Sequence, residues 1–161
     1  MSRKEVYTYF DALDKLRKYC AYQERCQQEV RDKLYSYGMN YDETENAIVL
    51  LIQENYLNEV RFSEAFVRGK FKIKRWGRNK ITQGLKAKKV SDYCIKKGMS
   101  EIDSDLYYEN LKYCLNVKMK TLKFNNEFER DYKLKQYLGS RGYEFDLIEC
   151  AISEVFRNDL K

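Results

Sequence analysis

Proline and histidine are absent from the 161 residues, and glycine occurs only seven times. Sandwiches and barrels of many short strands draw their turns mainly from glycine and proline, so this scarcity points to helices. Without an imidazole, a Ser or Cys triad of the ordinary kind is excluded, and no Walker-type glycine loop or dinucleotide fingerprint is present. Glu127 and Glu129 lie among lysines and arginines, where ion pairing is the better account of paired carboxylates. The expectation is a protein that is not an enzyme and takes no cofactor. Cys20, Cys26, Cys94, Cys114 and Cys150 are odd in number and lack any Cys-x-x-Cys spacing, which disfavours a disulfide framework or a zinc cage and suggests reduced core thiols. No apolar run approaches the ~18 residues of a membrane span. The opening Met1-Ser2-Arg3-Lys4-Glu5 leads into a polar and aromatic stretch rather than an apolar leader. A cytoplasmic protein without a membrane partner is expected.

What is present is enough for a core: 43% of the residues are hydrophobic and 15% aromatic. At this length the chain reads as one domain or a few small packed modules. The net charge of +6 conceals an asymmetry, because residues 68–97 carry twelve basic side chains and one acidic, while the remainder is net acidic. Such a block favours a polyanionic partner or an acidic protein surface.

The chain also repeats itself. Shifted by 104 residues, Val30, Leu34, Gly38, Asp42, Glu45, Ala47, Ile48, Leu51 and Ile52 fall without a gap on Leu134, Leu138, Gly142, Asp146, Glu149, Ala151, Ile152, Val155 and Phe156. Val30, Leu34 and Tyr37 make the buried stripe of a helix, which Gly38 ends in a left-handed conformation. Asp42 with Glu45 reads as the capping start of the next helix, and Asp146 with Glu149 as its copy. At a shift of 51, Ile81, Leu85, Val90, Met99 and Ile102 fit the same template, with Lys89 in the glycine position and Ser91 as a cap. A longer helix precedes each pair, with apolar faces Phe62, Ala65, Phe66, Gly69, Ile73 and Tyr108, Leu111, Leu115, Met119, Leu122. The expected fold is all-α, three tandem three-helix repeats at residues 8–56, 57–104 and 105–158.

With those repeats in hand, the stretch from Asn55 to Val67 (Asn-Tyr-Leu-Asn-Glu-Val-Arg-Phe-Ser-Glu-Ala-Phe-Val) resembles the RecX family's aromatic-Leu-acidic turn followed by Arg-Phe-Ala and an aromatic. Gly77, Ile81, Leu85 and Val90 are similar to its Gly, Ile, Leu and Gly-Ile positions, and Arg25, Glu29, Leu34 and Gly38 to its first-repeat signature. The resemblance covers roughly residues 12 to 156. The chain departs from the pattern at Asn55 for Gly, Asn58 for Asp, Cys26 for Ser, Lys89 for Gly, and at Arg78-Asn79, where the family often has Pro. The resemblance implies an elongated, curved helical-repeat monomer. It would lie in the groove of the RecA filament on single-stranded DNA and restrain ATP hydrolysis, strand exchange and filament growth.

The candidate contact residues are Arg61, Arg68, Lys70, Lys72, Lys74, Arg75, Trp76, Arg78, Lys80, Lys86, Lys88 and Lys89, with Phe71 interleaved. Cations mixed with aromatics suit phosphates and exposed bases. Lys70, Lys74 and Arg78 recur at a spacing of four, which puts them on one face if a single helix carries them, opposite Phe66 and Ile73. The face suits DNA, which a filament-bound protein would hold only weakly when naked, an acidic recombinase surface, or both. The plainer reading is a solvated stripe that aids solubility. Trp76 by its bulk favours packing, and Arg61 beside Glu59 and Glu64 either pairs locally or reaches a partner. Two rival functions remain: a helix-turn-helix nucleic-acid reader near residues 78–98, and a scaffold holding a peptide on its concave face.

Overall fold

The structure is a computed structural model that describes residues 7–157. The opening Met1 to Glu5 and Asn158, the expected end of the third repeat, lie outside the described residues. Among the described residues there are nine α-helices and no strand: α1 (Tyr9–Tyr22), α2 (Gln27–Ser36), α3 (Tyr41–Gln53), α4 (Glu59–Lys72), α5 (Arg78–Ala87), α6 (Asp92–Met99), α7 (Ser104–Met119), α8 (Glu127–Ser140) and α9 (Phe145–Arg157). The helical reading and the succession of longer helix followed by a shorter pair are both realised.

Most of these helices start on a side-chain cap, which satisfies backbone N–H groups that have no partner within the helix. Thr8, Asn58, Ser91, Asp103 and Asn126 accept from the N–H of the residue three places on. Cys26 and Asn40 form reciprocal capping boxes with Glu29 and Glu43. The cap of α3 is therefore Asn40 with Glu43, not Asp42 with Glu45, and Asp146 lies in the first turn of α9. The repeated glutamates have another use. Arg31 Nε donates to Glu45 at 2.8 Å, and at the same 104-residue shift Lys135 Nζ donates to Glu149 at 3.4 Å, so the position pins a helix to the one before it.

Helices α2, α5 and α8 end alike. Gly38, Lys89 and Gly142 take φ values of +87°, +58° and +98°. The next residue in each case, Met39, Val90 or Tyr143, donates its N–H back to Leu34, Leu85 or Leu138 at 3.1 to 3.2 Å and buries its side chain. This is the Schellman closure, in which a left-handed residue lets the last carbonyls find donors. Lys89 adopts it against a steric cost of about 1 kcal/mol that glycine would not incur.

The described residues form two compact units: one runs up to Ala65 and includes Leu85–Gly98, the other joins Phe66–Gly84 to the residues from Met99 on. In the first, Ala12, Leu13 and Leu16 of α1, Val30 and Leu34 of α2, and Ala47, Ile48 and Leu51 of α3 make a core closed by Leu57. In the second, Phe71, Ile81, Tyr107, Leu111, Leu115, Leu134, Leu138, Ile148, Ala151 and Ile152 are buried. Each such Leu, Ile or Phe contributes about 1.5–3 kcal/mol relative to exposure.

Several inward faces differ from expectation. The buried residues of α4 are Phe62, Ser63, Val67 and Phe71, Phe66 is half-buried, and Ile73, one residue past the helix end, is 76% exposed. On α7 it is Tyr107, not Tyr108, that faces in with Leu111 and Leu115. Because α6 has only eight residues, Cys94, Ile95 and Gly98 are buried while Met99 and Ile102 are half-buried. Four cysteines are buried free thiols, but Cys150 is exposed.

Candidate partner-binding surface

The turn between α4 and α5 carries the densest part of the basic segment. Helix α4 ends at Lys72, Lys74 lies in the turn, and Arg78 opens α5, so Lys70, Lys74 and Arg78 do not share one helix face. Nor is Phe71 a platform for bases: it is 2% exposed and stacks on Tyr107 with ring centroids 6.4 Å apart.

Helix α5 has no side-chain cap of its own. The N–H of Arg78 donates to Tyr107 Oη at 3.0 Å and that of Asn79 to the carbonyl of Gly142 at 2.9 Å. A proline in place of Arg78 would lack the first of these donors. Gly77 N–H donates to the Arg141 carbonyl at 2.8 Å, and the two backbones cross so closely that a Cβ on Gly77 would come within 2.2 Å of the Gly142 carbonyl carbon. A Cβ on Gly142 would meet the Lys80 Cβ at 2.4 Å. Both positions need glycine for close approach as well as, at Gly142, for its positive φ.

Arg78 is held in place by this crossing. Its guanidinium lies 3.9 Å over the Tyr107 ring and donates to Glu144 Oε2 at 3.2 Å, while Tyr107 Oη donates to Glu144 Oε1 at 2.7 Å. Burial, with the Glu144 carboxylate next to it, pushes the Tyr107 phenol far above its usual range. Arg75, at φ +52°, sits 4.0 Å over the Tyr113 ring, and its carbonyl accepts from Tyr143 Oη at 2.7 Å. Lys70 and Lys80 flank the half-buried Trp76 at 4.6 and 4.4 Å from its ring, an arrangement that leaves the indole little face for a nucleic-acid base. Arg68 pairs with Glu101 at 3.3 Å. Lys72 and Lys74 are exposed and make no ion pair with a described residue.

The other candidates belong to the first unit. Arg61 laces the α3–α4 turn, donating to Glu24 at 2.6 Å, to the Asn55 side chain and carbonyl at 3.1 Å each, and to the Tyr56 carbonyl at 3.3 Å. It steadies Asn55, whose φ is +63°. Lys88 donates to Glu29 at 2.7 Å, a bond that raises the lysine's pKa. Lys86 and Lys89 are exposed and, among the described residues, unpaired.

The eleven cationic candidates thus divide by use, with Trp76 half-buried beside two of them. Arg61, Arg68, Arg78 and Lys88 are ion-paired, Lys70, Arg75 and Lys80 lean on aromatic rings, and Lys72, Lys74, Lys86 and Lys89 offer cations to solvent. Sequence reasoning passed over the residues that hold the turn: Tyr107, Arg141, Tyr143 and Glu144. Only Gly142 carried a local signal, as a helix stop.

Two family models match the chain. One, described as "RecX, second three-helix domain", matches residues 58–99, and "RecX, third three-helix domain" matches residues 105–152. A regulatory protein RecX of Clostridium botulinum (strain Eklund 17B / Type B) is 30% identical over 84% of this chain and 64% of its own length. One from Bacillus mycoides (strain KBAB4) is 25% identical, and this chain spans 51% of it. That from Prosthecochloris aestuarii is 27% identical over 91% of this chain and 95% of its own. The crystal structure of RecX from Lactobacillus salivarius superposes with a TM-score of 0.83 at 24% identity, covering 95% of this chain and 97% of that one, and establishes the shared fold.

Proposed function

Because this chain belongs to the RecX family, we propose that it is a non-catalytic regulator that binds the RecA filament on single-stranded DNA and thereby restrains ATP hydrolysis, strand exchange and filament growth. The observation that carries the reading is the cationic segment 68–89, with Lys72, Lys74, Lys86 and Lys89 left exposed while neighbouring cations are taken up by carboxylates and rings. Four solvated ammonium groups suit an acidic, DNA-laden polymer. They are too few and too weakly oriented for sequence readout, which requires side chains aimed at base edges. In this reading the helices act as three triplets, at 8–56, 57–104 and 105–158, on a monomer in the cytoplasm, where the filament is.

The test is to add purified protein to RecA assembled on single-stranded DNA and follow ATP hydrolysis. A falling rate is expected; an unchanged rate at saturating protein removes the proposal. The rival reading, a helix-turn-helix reader formed by α5 and α6, requires tight binding to duplex DNA without recombinase. The filament reading instead requires weak binding to naked single strands that falls steeply with salt.

A further inference from the structure

The α4–α5 turn is restrained by Asn110, Arg141 and Tyr143, and it carries a feature that a solvated cationic stripe does not need. Ile73 is 76% exposed and stands between the exposed Lys72 and Lys74. Next to them, Arg75 extends over Tyr113, itself half exposed. We propose that residues 72–76 form a preorganised protein-docking knob that inserts Ile73 into an apolar depression rimmed by carboxylates on the partner.

Three observations favour this occupant. An aliphatic side chain offers no π face for base stacking, the means by which single strands are usually held, so nucleic acid gains little from Ile73. Burying it in a protein pocket recovers the free energy of its apolar surface. Lys72, Lys74 and Arg75, its neighbours in the chain, put positive charge on the same turn, which complements an acidic rim and would oppose a basic or purely apolar one.

The restraint is as informative as the exposure. Arg75 holds a left-handed φ of +52° that is uncommon for a non-glycine residue. Such a conformation persists where its surroundings over-determine it. Here the Arg75 carbonyl accepts from Tyr143 Oη at 2.7 Å and from the Arg141 guanidinium at 3.3 Å, and the Cys114 sulfur lies 3.9 Å away. The same guanidinium also donates to the Lys74 carbonyl. Asn110 Nδ2 donates to the Phe71 carbonyl at 3.1 Å, fixing the end of α4, and Trp76 N–H closes back on Lys70 at 3.0 Å. A contact loop ordered before binding loses little further entropy on docking. Tyr143, Arg141 and Asn110 are therefore positioning residues, and Ile73 is the contact.

The inference rests on the filament reading above, and a double-mutant cycle separates the two. Affinity for RecA filaments and for bare single-stranded DNA is measured with wild type, Ile73→Ser, Tyr143→Phe and the double variant, with thermal unfolding of each. Ile73→Ser should weaken filament binding about tenfold, leave bare-DNA binding within about twofold and leave the melting temperature unchanged. Tyr143→Phe should weaken filament binding by a smaller factor, and Ile73→Ser should then cost less than it does in wild type. A merely structural Tyr143 would instead give independent, multiplying losses. Full filament affinity in Ile73→Ser overturns the knob, and an equal loss on bare DNA reassigns the loop to nucleic acid. A wild-type chain that does not bind filaments removes the functional reading itself, and the inference with it.

Discussion

Two glycines at equivalent turn positions face different neighbours, and their alanine variants should separate backbone strain from crowding. A Cβ on Gly38 meets nothing within 4 Å, so Gly38→Ala carries only the left-handed penalty, about 1 kcal/mol. At Gly142 the same penalty adds to contacts of 2.4 and 2.5 Å with the Lys80 Cβ and backbone nitrogen, so Gly142→Ala should cost at least about 3 kcal/mol. Urea denaturation of both variants measures the difference, and equal losses would mean that the backbone crossing gives way cheaply. Lys89→Gly should work in the opposite sense. It relieves a left-handed lysine and stabilises the fold by roughly 0.5–1 kcal/mol, while removing one of the exposed cations. Melting temperature should therefore rise in this variant as affinity for polyanions falls.

At the level of the element, α5 takes its N-terminal cap from outside itself. Tyr107→Phe removes the acceptor for Arg78 N–H and the donor to Glu144 in a buried setting, and should destabilise by about 1–3 kcal/mol in chemical denaturation. Tyr108→Phe breaks a comparable bond to Glu154 at the surface and should cost well under that. The contrast marks what the sequence could and could not disclose. Apolar spacing located the stripes of α2, α3, α8 and α9, except that Ile52, expected to face inward on α3, is 44% exposed, and Gly38 and Gly142 located two helix stops, because these signals are local. The cap of α3 was misplaced because Asp42 is as plausible chemically as Asn40, and the expected copy, Asp146, lies inside the first turn of α9. The inward face of α4 was misread because Ile73 continues the apolar spacing past the point where the helix ends. Which cations of residues 68–89 remain exposed was not legible, since Glu29, Glu101 and Glu144, which pair with three of them, lie up to 66 positions away in the chain.

The whole molecule lacks histidine, so its stability should be nearly flat across neutral pH and fall on both sides. Burial pushes the Cys20 thiol up to about 11 and, with the Glu154 bond, the Tyr108 phenol up to about 12. Tyr107 and Tyr143 are raised further, chiefly by burial. These groups are neutral in the fold and ionise first in the unfolded chain. The stability they contribute is thus complete below the usual thiol and phenol values and is lost as pH rises through the folded ones. Glu45, Glu54, Glu129 and Glu154 are lowered, mainly by hydrogen bonds to Arg31, Arg17, Lys133 and Tyr108, so their contribution is lost as pH falls below the ordinary carboxylate range. Melting curves from pH 3 to 12 should show a plateau with two shoulders, and a step near pH 6.5 would contradict this. The proposed filament contact rests on four exposed lysines. Lys72, Lys74, Lys86 and Lys89 are changed together to glutamate, leaving the ion-paired Arg61, Arg68, Arg78 and Lys88 intact, and RecA ATP hydrolysis on single-stranded DNA is followed at physiological salt. Inhibition by the wild-type chain and its loss in a variant that still folds are expected; equal inhibition by the folded variant would rule these lysines out as the filament contact.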